Sequence, residues 1–172
     1  ASDVYKRQRH YKIIYTHILI ISALKSSVDT DSRSPIHIDT ISTLLNLGAD
    51  VFFEENIGIG INVSDKIFEQ SGLKKSSREE CLKKGDLIIT NQPLGDDELK
   101  LIKPNSTILG MINPFSNQAL IESCSNLKIN LVSMEFIPRI TRAQTLDVLS
   151  SQANLAGDVA VIESAKHLST AL

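Results

Sequence analysis

The chain has 172 residues, of which 42% are hydrophobic and 22% charged, enough apolar surface for one ordinary domain with a real core and too much for a disordered polymer. Its 18 basic and 20 acidic residues are interspersed and the formal net charge is −2, which leaves no basic field for a nucleic-acid backbone. The longest apolar run, Tyr11 to Leu24, is too short to span a bilayer and contains Lys12 and His17.

The opening "ASDVYKRQ" matches no element of the pattern that follows, and residues 1–16 are expected to be a non-native or disordered lead. From there on, short β-rich runs alternate with helical patterns. Strands are expected from Ile18 to Ser22, Ala49 to Glu54, Leu87 to Thr90, Thr107 to Gly110 and Asn130 to Met134. Between the first two, "SPIHIDTISTLLNLGAD" offers Ser34 as a cap and Pro35 at the first helical position. Ile38, Ile41, Leu44 and Leu45 lie on one side, with Gly48 as the stop. "VSDKIFEQSG" and "SSREECLKKGD" give two further helices, the second with a Ser77 to Glu80 capping box and Gly85 as terminator. "LGDDELKLIKP" and "PFSNQALIESCSN" supply the last crossovers.

This order predicts an α/β fold: a doubly wound, mostly parallel sheet of the flavodoxin or Rossmann kind over residues 17–140. A long C-terminal helix is expected over residues 141–172, interrupted only by Gly157. Leu146, Leu149, Ala153, Ala156 and Ala160 form one apolar line along it, and Val148, Leu155, Val159 and Ile162 a second, so the helix reads as a strut between this domain and another. Gln144, Asp147, Ser151 and Asn154 fill a polar stripe at the same spacings.

That stripe is the most informative stretch of the chain, because a core helix excludes polar groups without partners. "TRAQ" reads as a capping box from Thr141 to Gln144, which accounts for Gln144 but not for Arg139, Asp147 or Ser150. An ion pair between Arg139 and Asp147 is one reading of these, and a common polar ligand the other.

The remaining candidates point away from other chemistries. Cys81 and Cys124 stand far apart with no CxxC, and read as buried thiols of a reducing compartment. His10, His17, His37 and His167 lack partners at metal-ligand spacing, so no metal is expected. No serine sits in a Gly-x-Ser-x-Gly elbow. "NIGIGIN" holds Gly58 and Gly60 but no third glycine and no helix opening directly after it, so it reads as a tight turn rather than a phosphate loop.

"IPRITRAQTLDVLSSQANLAG" closely resembles the signature of domain I, the nucleotide-binding alpha subunit, of proton-translocating NAD(P) transhydrogenase, within the alanine dehydrogenase/transhydrogenase N-terminal domain family. The resemblance extends at lower specificity over "TDSRSPIHIDTISTLLNLGAD", where Arg33 and Pro35 match and Ser34 departs, and over "GDLIITNQPLGDDEL" and "INPFSNQALI". After "NLAG" the family has an aromatic residue where this chain has Asp158. By matching position, the resemblance implies that Arg139, Gln144, Asp147 and Ser150 position a nicotinamide, with Arg33 facing the cleft. A carboxamide needs donors and acceptors together, which such a set offers.

The resemblance further implies NAD(H) as cofactor and NADP(H) on a partner subunit, with hydride transfer between them coupled to proton translocation. It also implies NADP-binding and membrane subunits as partners, a homodimer in the full protein, and a peripheral place on the cytoplasmic face of the inner or plasma membrane. The family's dinucleotide-binding domain would follow this stretch, so the chain reads as a fragment expected to be inactive alone. Alanine dehydrogenases share the pattern, but they resemble it with a Lys gripping the keto acid and a His transferring the proton. Here those positions fall in "LIIT" and "GMIN", which have neither. A non-catalytic α/β interaction module is the other alternative.

Overall fold

The computed structural model describes residues 18–28 and 30–168; the expected lead, His10, His17 and residues 169–172 of the expected last helix lie outside the described residues. Six parallel strands run β1 (Ile20–Ala23), β2 (Asp50–Glu54), β3 (Lys74–Ser76), β4 (Leu87–Thr90), β5 (Thr107–Gly110) and β6 (Asn130–Ser133). They lie in the order β3-β2-β1-β4-β5-β6, with Ile21 opposite Val51 and Ile88 opposite Ile108. The helices are α1 (Ile38–Asn46), α2 (Asp65–Gln70), α3 (Arg78–Lys84), α4 (Asp96–Leu99), α5 (Gln118–Asn126) and α6 (Val148–His167).

Because side chains alternate across each strand, the two sheet faces build two separate cores. Ile21, Ala23, Val51 and Phe53 pack with Ile41 of α1 and Phe68 of α2 on one face. Leu24, Ile88 and Ile108 pack with Cys81 and Leu82 of α3, Leu99 of α4, and Leu120 and Cys124 of α5 on the other. Each such fully buried aliphatic or aromatic side chain contributes about 1.5 to 3 kcal/mol. Both cysteines are free and buried in the second core, and burial pushes the Cys81 thiol up to about 12. The chain is therefore the doubly wound α/β domain that its sequence predicts.

The boundaries differ from expectation for local reasons. The first strand starts at Ile20, with Ile18 and Leu19 exposed before it. Helix α1 starts at Ile38, not Pro35: His37 occupies the cap position and accepts from the Asp39 amide through Nδ1, while the Ser34 hydroxyl donates to the Ile36 carbonyl in a preceding turn. Gly48 ends that helix as read, at φ 76°, where a Cβ would be strained. Ser77 caps α3 by accepting from the Glu80 amide, but the Glu80 carboxylate takes the Ser76 hydroxyl at 2.5 Å instead of closing a capping box. Strand β3 went unread because it is three residues long with two exposed lysines; only pairing with β2 makes it a strand.

The largest correction concerns residues 141–172. Thr141–Leu146 is a 3₁₀ turn preceded by Ile140, with no side-chain cap, so Thr141 and Gln144 form no capping box. The chain breaks at Asp147 (φ −78°, ψ 89°) and α6 begins only at Val148. Gly157 does not interrupt it. Helix α6 has no buried residue, and Leu155, Val159 and Ile162 of the second apolar line are exposed.

Candidate functional site

In a doubly wound sheet the loops leaving adjacent strands diverge where the strand order reverses, opening a crevice at the carboxyl ends of the strands. Here the reversal lies between β1 and β4. A cleft of about 520 Å³ sits at this end, lined by Val28, Asp31 and Arg33 after β1, Asn91, Gln92 and Pro93 after β4, Met111 and Asn113 after β5, and Glu135 after β6.

Side chains tie its two walls together across the switch point. The Ser26 hydroxyl donates to Gln92 Oε1 at 2.9 Å, and Asn91 Nδ2 donates to the Arg33 carbonyl at 3.2 Å. Beneath them, Arg78 at the start of α3 donates to Glu54 (2.7 Å), Glu98 (2.5 Å) and the Lys25 carbonyl (2.9 Å). Glu54 also accepts from the Lys25 amide, and Glu98 from the Gly95 amide. One guanidinium thus holds the roots of the loops after β1 and after β4.

Arg33, the residue expected at the cleft, lines it. Its Nε and Nη2 donate to the two oxygens of Asp31 at 2.7 and 2.9 Å, a two-pronged pair. The Arg33 guanidinium holds the Asp31 carboxyl below its ordinary value, against a partial burial that opposes it, and Asp31 raises Arg33 in return. The loop that carries this pair is pressed against the turn after β2. A Cβ on Gly60 would lie 2.0 Å from the Ser32 carbonyl oxygen, and one on Gly58 2.4 Å from that of Val63. Close backbone approach accounts for both glycines of "NIGIGIN", which folds as a 3₁₀ turn at Ile59–Ile61 ahead of α2.

Glu135 closes the far wall. Its carboxylate accepts from the amides of Asn113 (2.7 Å) and Ile112 (3.2 Å) and from the Ser133 hydroxyl (2.5 Å). Burial pushes the acid up, but these donors outweigh it and the net shift is downward. The carboxylate therefore stays ionised and fixes the loop after β5 to the loop after β6.

Arg139, Gln144, Asp147 and Ser150 follow on from this wall rather than lining the cleft, and the structure does not set the last three on one helical face. Arg139 and Gln144 are exposed, and neither side chain makes a hydrogen bond or close ion pair among the described residues. Asp147 is buried and caps α6: its carboxylate accepts from the Ser150 amide at 3.1 Å and the Ser150 hydroxyl at 2.5 Å. These two bonds hold its pKa down, aided more weakly by the charge of Arg139, which makes no direct ion pair with it among the described residues. A two-bond carboxylate keeps acceptor capacity to spare, and Arg139 and Gln144 add free donors and an acceptor.

Sequence reading missed Asn91, Gln92, Asn113 and Glu135. The available signal was topological: each is a polar residue within a few positions of the carboxyl end of a strand.

The fold and cleft define a doubly wound α/β domain with a ligand crevice at its topological switch point. More particularly, the chain belongs to the alanine dehydrogenase/PNT, N-terminal domain family, which it matches over residues 24–156. It is 34% identical over 156 residues to an NAD(P) transhydrogenase subunit alpha chain of Rickettsia prowazekii, covering 88% of this chain and 41% of that one. A solved structure of transhydrogenase from Sinorhizobium meliloti superposes with a TM-score of 0.83 at 31% identity, covering 89% of this chain and 46% of that one. Alanine dehydrogenase 1 of Staphylococcus aureus is a more distant relative, 24% identical over 135 residues, covering 78% of this chain and 36% of that one. The chain thus spans about two fifths of the length of these two curated relatives.

Proposed function

We propose that this chain is the N-terminal α/β portion of the NAD(H)-binding alpha subunit of a proton-translocating NAD(P) transhydrogenase. In the complete protein, hydride passes between NAD(H) and an NADP(H) held on a partner subunit. The observation that carries this reading is the run from Arg139 to Ser150. It departs from ordinary helix patterning, leaves Arg139 and Gln144 exposed with no side-chain hydrogen bond among the described residues, and sits on a chain that is most like transhydrogenase alpha subunits among the relatives named above.

NAD(H), when bound, supplies the hydride; this chain's residues orient the ring. Arg139 and Gln144 would donate to and accept from its carboxamide, and Asp147, already locked by Ser150, would present its remaining acceptor sites. Hydride exchange between two nicotinamides transfers no proton to a substrate carbon. In keeping with this, no Lys or His among the described residues lines the switch-point cleft, so those residues offer it no acid or base that titrates near neutrality. That composition speaks against an alanine dehydrogenase reaction there. Residues 141–172, with the exposed apolar side of α6, would lead to the second, dinucleotide-binding domain. Acting without it, the chain would be inactive. No helix among the described residues is long and apolar enough to cross a membrane. By resemblance to the family, the proton path would belong to membrane subunits, with this domain peripheral on the cytoplasmic face and paired as a homodimer.

The test is NADH titration of the complete protein by nucleotide fluorescence, together with a hydride-transfer assay, in parallel with Arg139→Ala and Gln144→Ala. These two are chosen because neither side chain supports the fold. Weaker binding or lost transfer in both bears the reading out; unchanged behaviour returns the stripe to a surface and a helix cap.

A further inference from the structure

The segment that carries Arg139 and Gln144 is held by little of its own. Of residues 137–146 only Ala143 is buried, and the backbone hydrogen bonds there are local turns: the Ile140 amide donates to the Pro138 carbonyl and the Ala143 amide to that of Ile140. At its far end the segment is fixed by Asp147 as the cap of α6. Just ahead of its near end stands Glu135, whose carboxylate joins the loop after β6 to the loop after β5 through the Ile112 and Asn113 amides. The loop it grips is itself fixed, because Asn117 Nδ2 at the head of α5 donates to the Ile112 and Asn113 carbonyls at 2.9 and 3.0 Å. A second tie spans the same two loops: the Phe136 ring meets that of Phe115 edge-on, with centroids 5.5 Å apart and planes at 83°. Phe115 is 85% exposed, so burial does not account for its place. Between these ties and Arg139 the chain has few free dihedrals. Pro138 fixes its own φ, and Ile137 before it is extended at φ −60°, ψ 123°. The start of the segment therefore follows Glu135 instead of absorbing its movement.

We propose that Glu135 is a positioning residue: with the Phe115–Phe136 pair it latches the loop after β6 to the loop after β5, and so sets where Arg139 and Gln144 stand. The inference rests on the transhydrogenase reading for what Arg139 and Gln144 do, and it adds the element that aims them. The latch depends on a carboxylate. One oxygen accepts from Asn113 and the other from Ile112 and Ser133. A glutamine keeps one carbonyl oxygen and brings an NH2 group that only donates, so at least one of the two amides loses its acceptor. A displacement of about 1 Å in a positioning group costs up to roughly 100-fold in rate, which makes so small a change measurable.

The experiment uses the complete protein as wild type, as Glu135→Gln, as Phe115→Ala, and as the pair Arg139→Ala with Gln144→Ala, the last both alone and carrying Glu135→Gln. Backbone deuterium exchange without nucleotide reads the latch. Peptides covering residues 137–146 are expected to exchange at least about fivefold faster in Glu135→Gln, and faster by a smaller factor in Phe115→Ala, with β1 and β2 unchanged. NADH titration by nucleotide fluorescence reads the aim. Glu135→Gln is expected to weaken binding about tenfold in the wild-type background, but less than about twofold where Arg139 and Gln144 are already Ala. A general structural role would weaken both backgrounds alike. Unchanged exchange over residues 137–146 in both latch variants overturns the proposal. So does an equal loss of NADH affinity in the two backgrounds, or no loss in the wild-type one. Wild-type NADH affinity in the protein lacking Arg139 and Gln144 is the separate failure of the transhydrogenase reading; the exchange measurement then upholds or overturns the latch by itself.

Discussion

Asp147 and Ser150 complete one another: the Asp147 carboxylate accepts both the amide and the hydroxyl of Ser150, and the Asp147 carbonyl accepts the Ser151 hydroxyl at 3.1 Å. Three of the polar residues that stand out in the sequence are thus consumed in starting α6. Asp147→Ala should let the first turn of α6 fray, while Asp147→Asn, still a capping residue, should retain most of it. Amide deuterium exchange at Ser150 to Asn154 checks this, with faster exchange expected for Ala than for Asn. Because the folded pKa of Asp147 lies below its ordinary value of 3.8, the cap's charge-dependent contribution is present above that value and is lost as pH falls through the folded one.

Glu135 offers a second pH-dependent reporter, inside the cleft. Its pKa is lowered from 4.5, so its contribution to stability is complete above about pH 4.5 and is lost as pH falls through the lower folded value. The Ile112 and Asn113 amides that donate to it should shift together with a midpoint below 4.5. In Glu135→Gln that titration should vanish, and the loop after β5 should exchange faster at neutral pH.

Removing Arg78 leaves Glu54 and Glu98 facing each other's neighbourhood without their shared cation. Arg78→Ala should cost about 2 to 3 kcal/mol in urea denaturation, less than the roughly 3 to 5 of a fully buried pair, because the Arg78 side chain keeps 23% of its exposure. Since Lys25 and Gly95 hang from the same network, the amide resonances of Ser26 and Gln92 should move as well. A loss of stability with those resonances unmoved would show that the network does not set the cleft walls.

Two glycines make opposite predictions. Gly60→Ala places a methyl 2.0 Å from the Ser32 carbonyl, forcing the Arg33 loop outward, and should destabilise by about 1 to 3 kcal/mol as overpacking does. Gly157→Ala meets nothing within 4 Å in mid-helix and should stabilise α6 by about 0.5 to 1 kcal/mol through helix propensity alone. Thermal melts and helical circular dichroism distinguish the two. In the complete protein, a Gly157→Ala variant that instead loses stability would reveal a close backbone neighbour along α6.

Two interior strands, β4 and β5, are legible residue for residue, since a buried strand of a parallel sheet must be a short, nearly continuous apolar run between turn signals. The apolar side of α1 and its Gly48 stop are legible for the same kind of local reason, whereas its start, capped by His37 and not Ser34, is not. Strand β3 is not, because Lys74 and Lys75 take extended form only by bonding to Phe52, Phe53 and Glu54 of β2. At the site, sequence patterning singles out Arg139, Gln144, Asp147 and Ser150 as unusual, whereas Arg33 is implied only by the family resemblance. Their contacts are ones that spacing does not encode. A polar residue eight positions from another can be an ion pair, a ligand or a cap, and only the backbone break at Asp147 made it a cap. Likewise Asp31 and Arg33 are near neighbours in any fold, but their place in a cleft opposite Glu135, far along the chain, follows from the reversal of strand order between β1 and β4. Local chemistry is written in the chain; which loops converge is decided by the order in which the strands assemble.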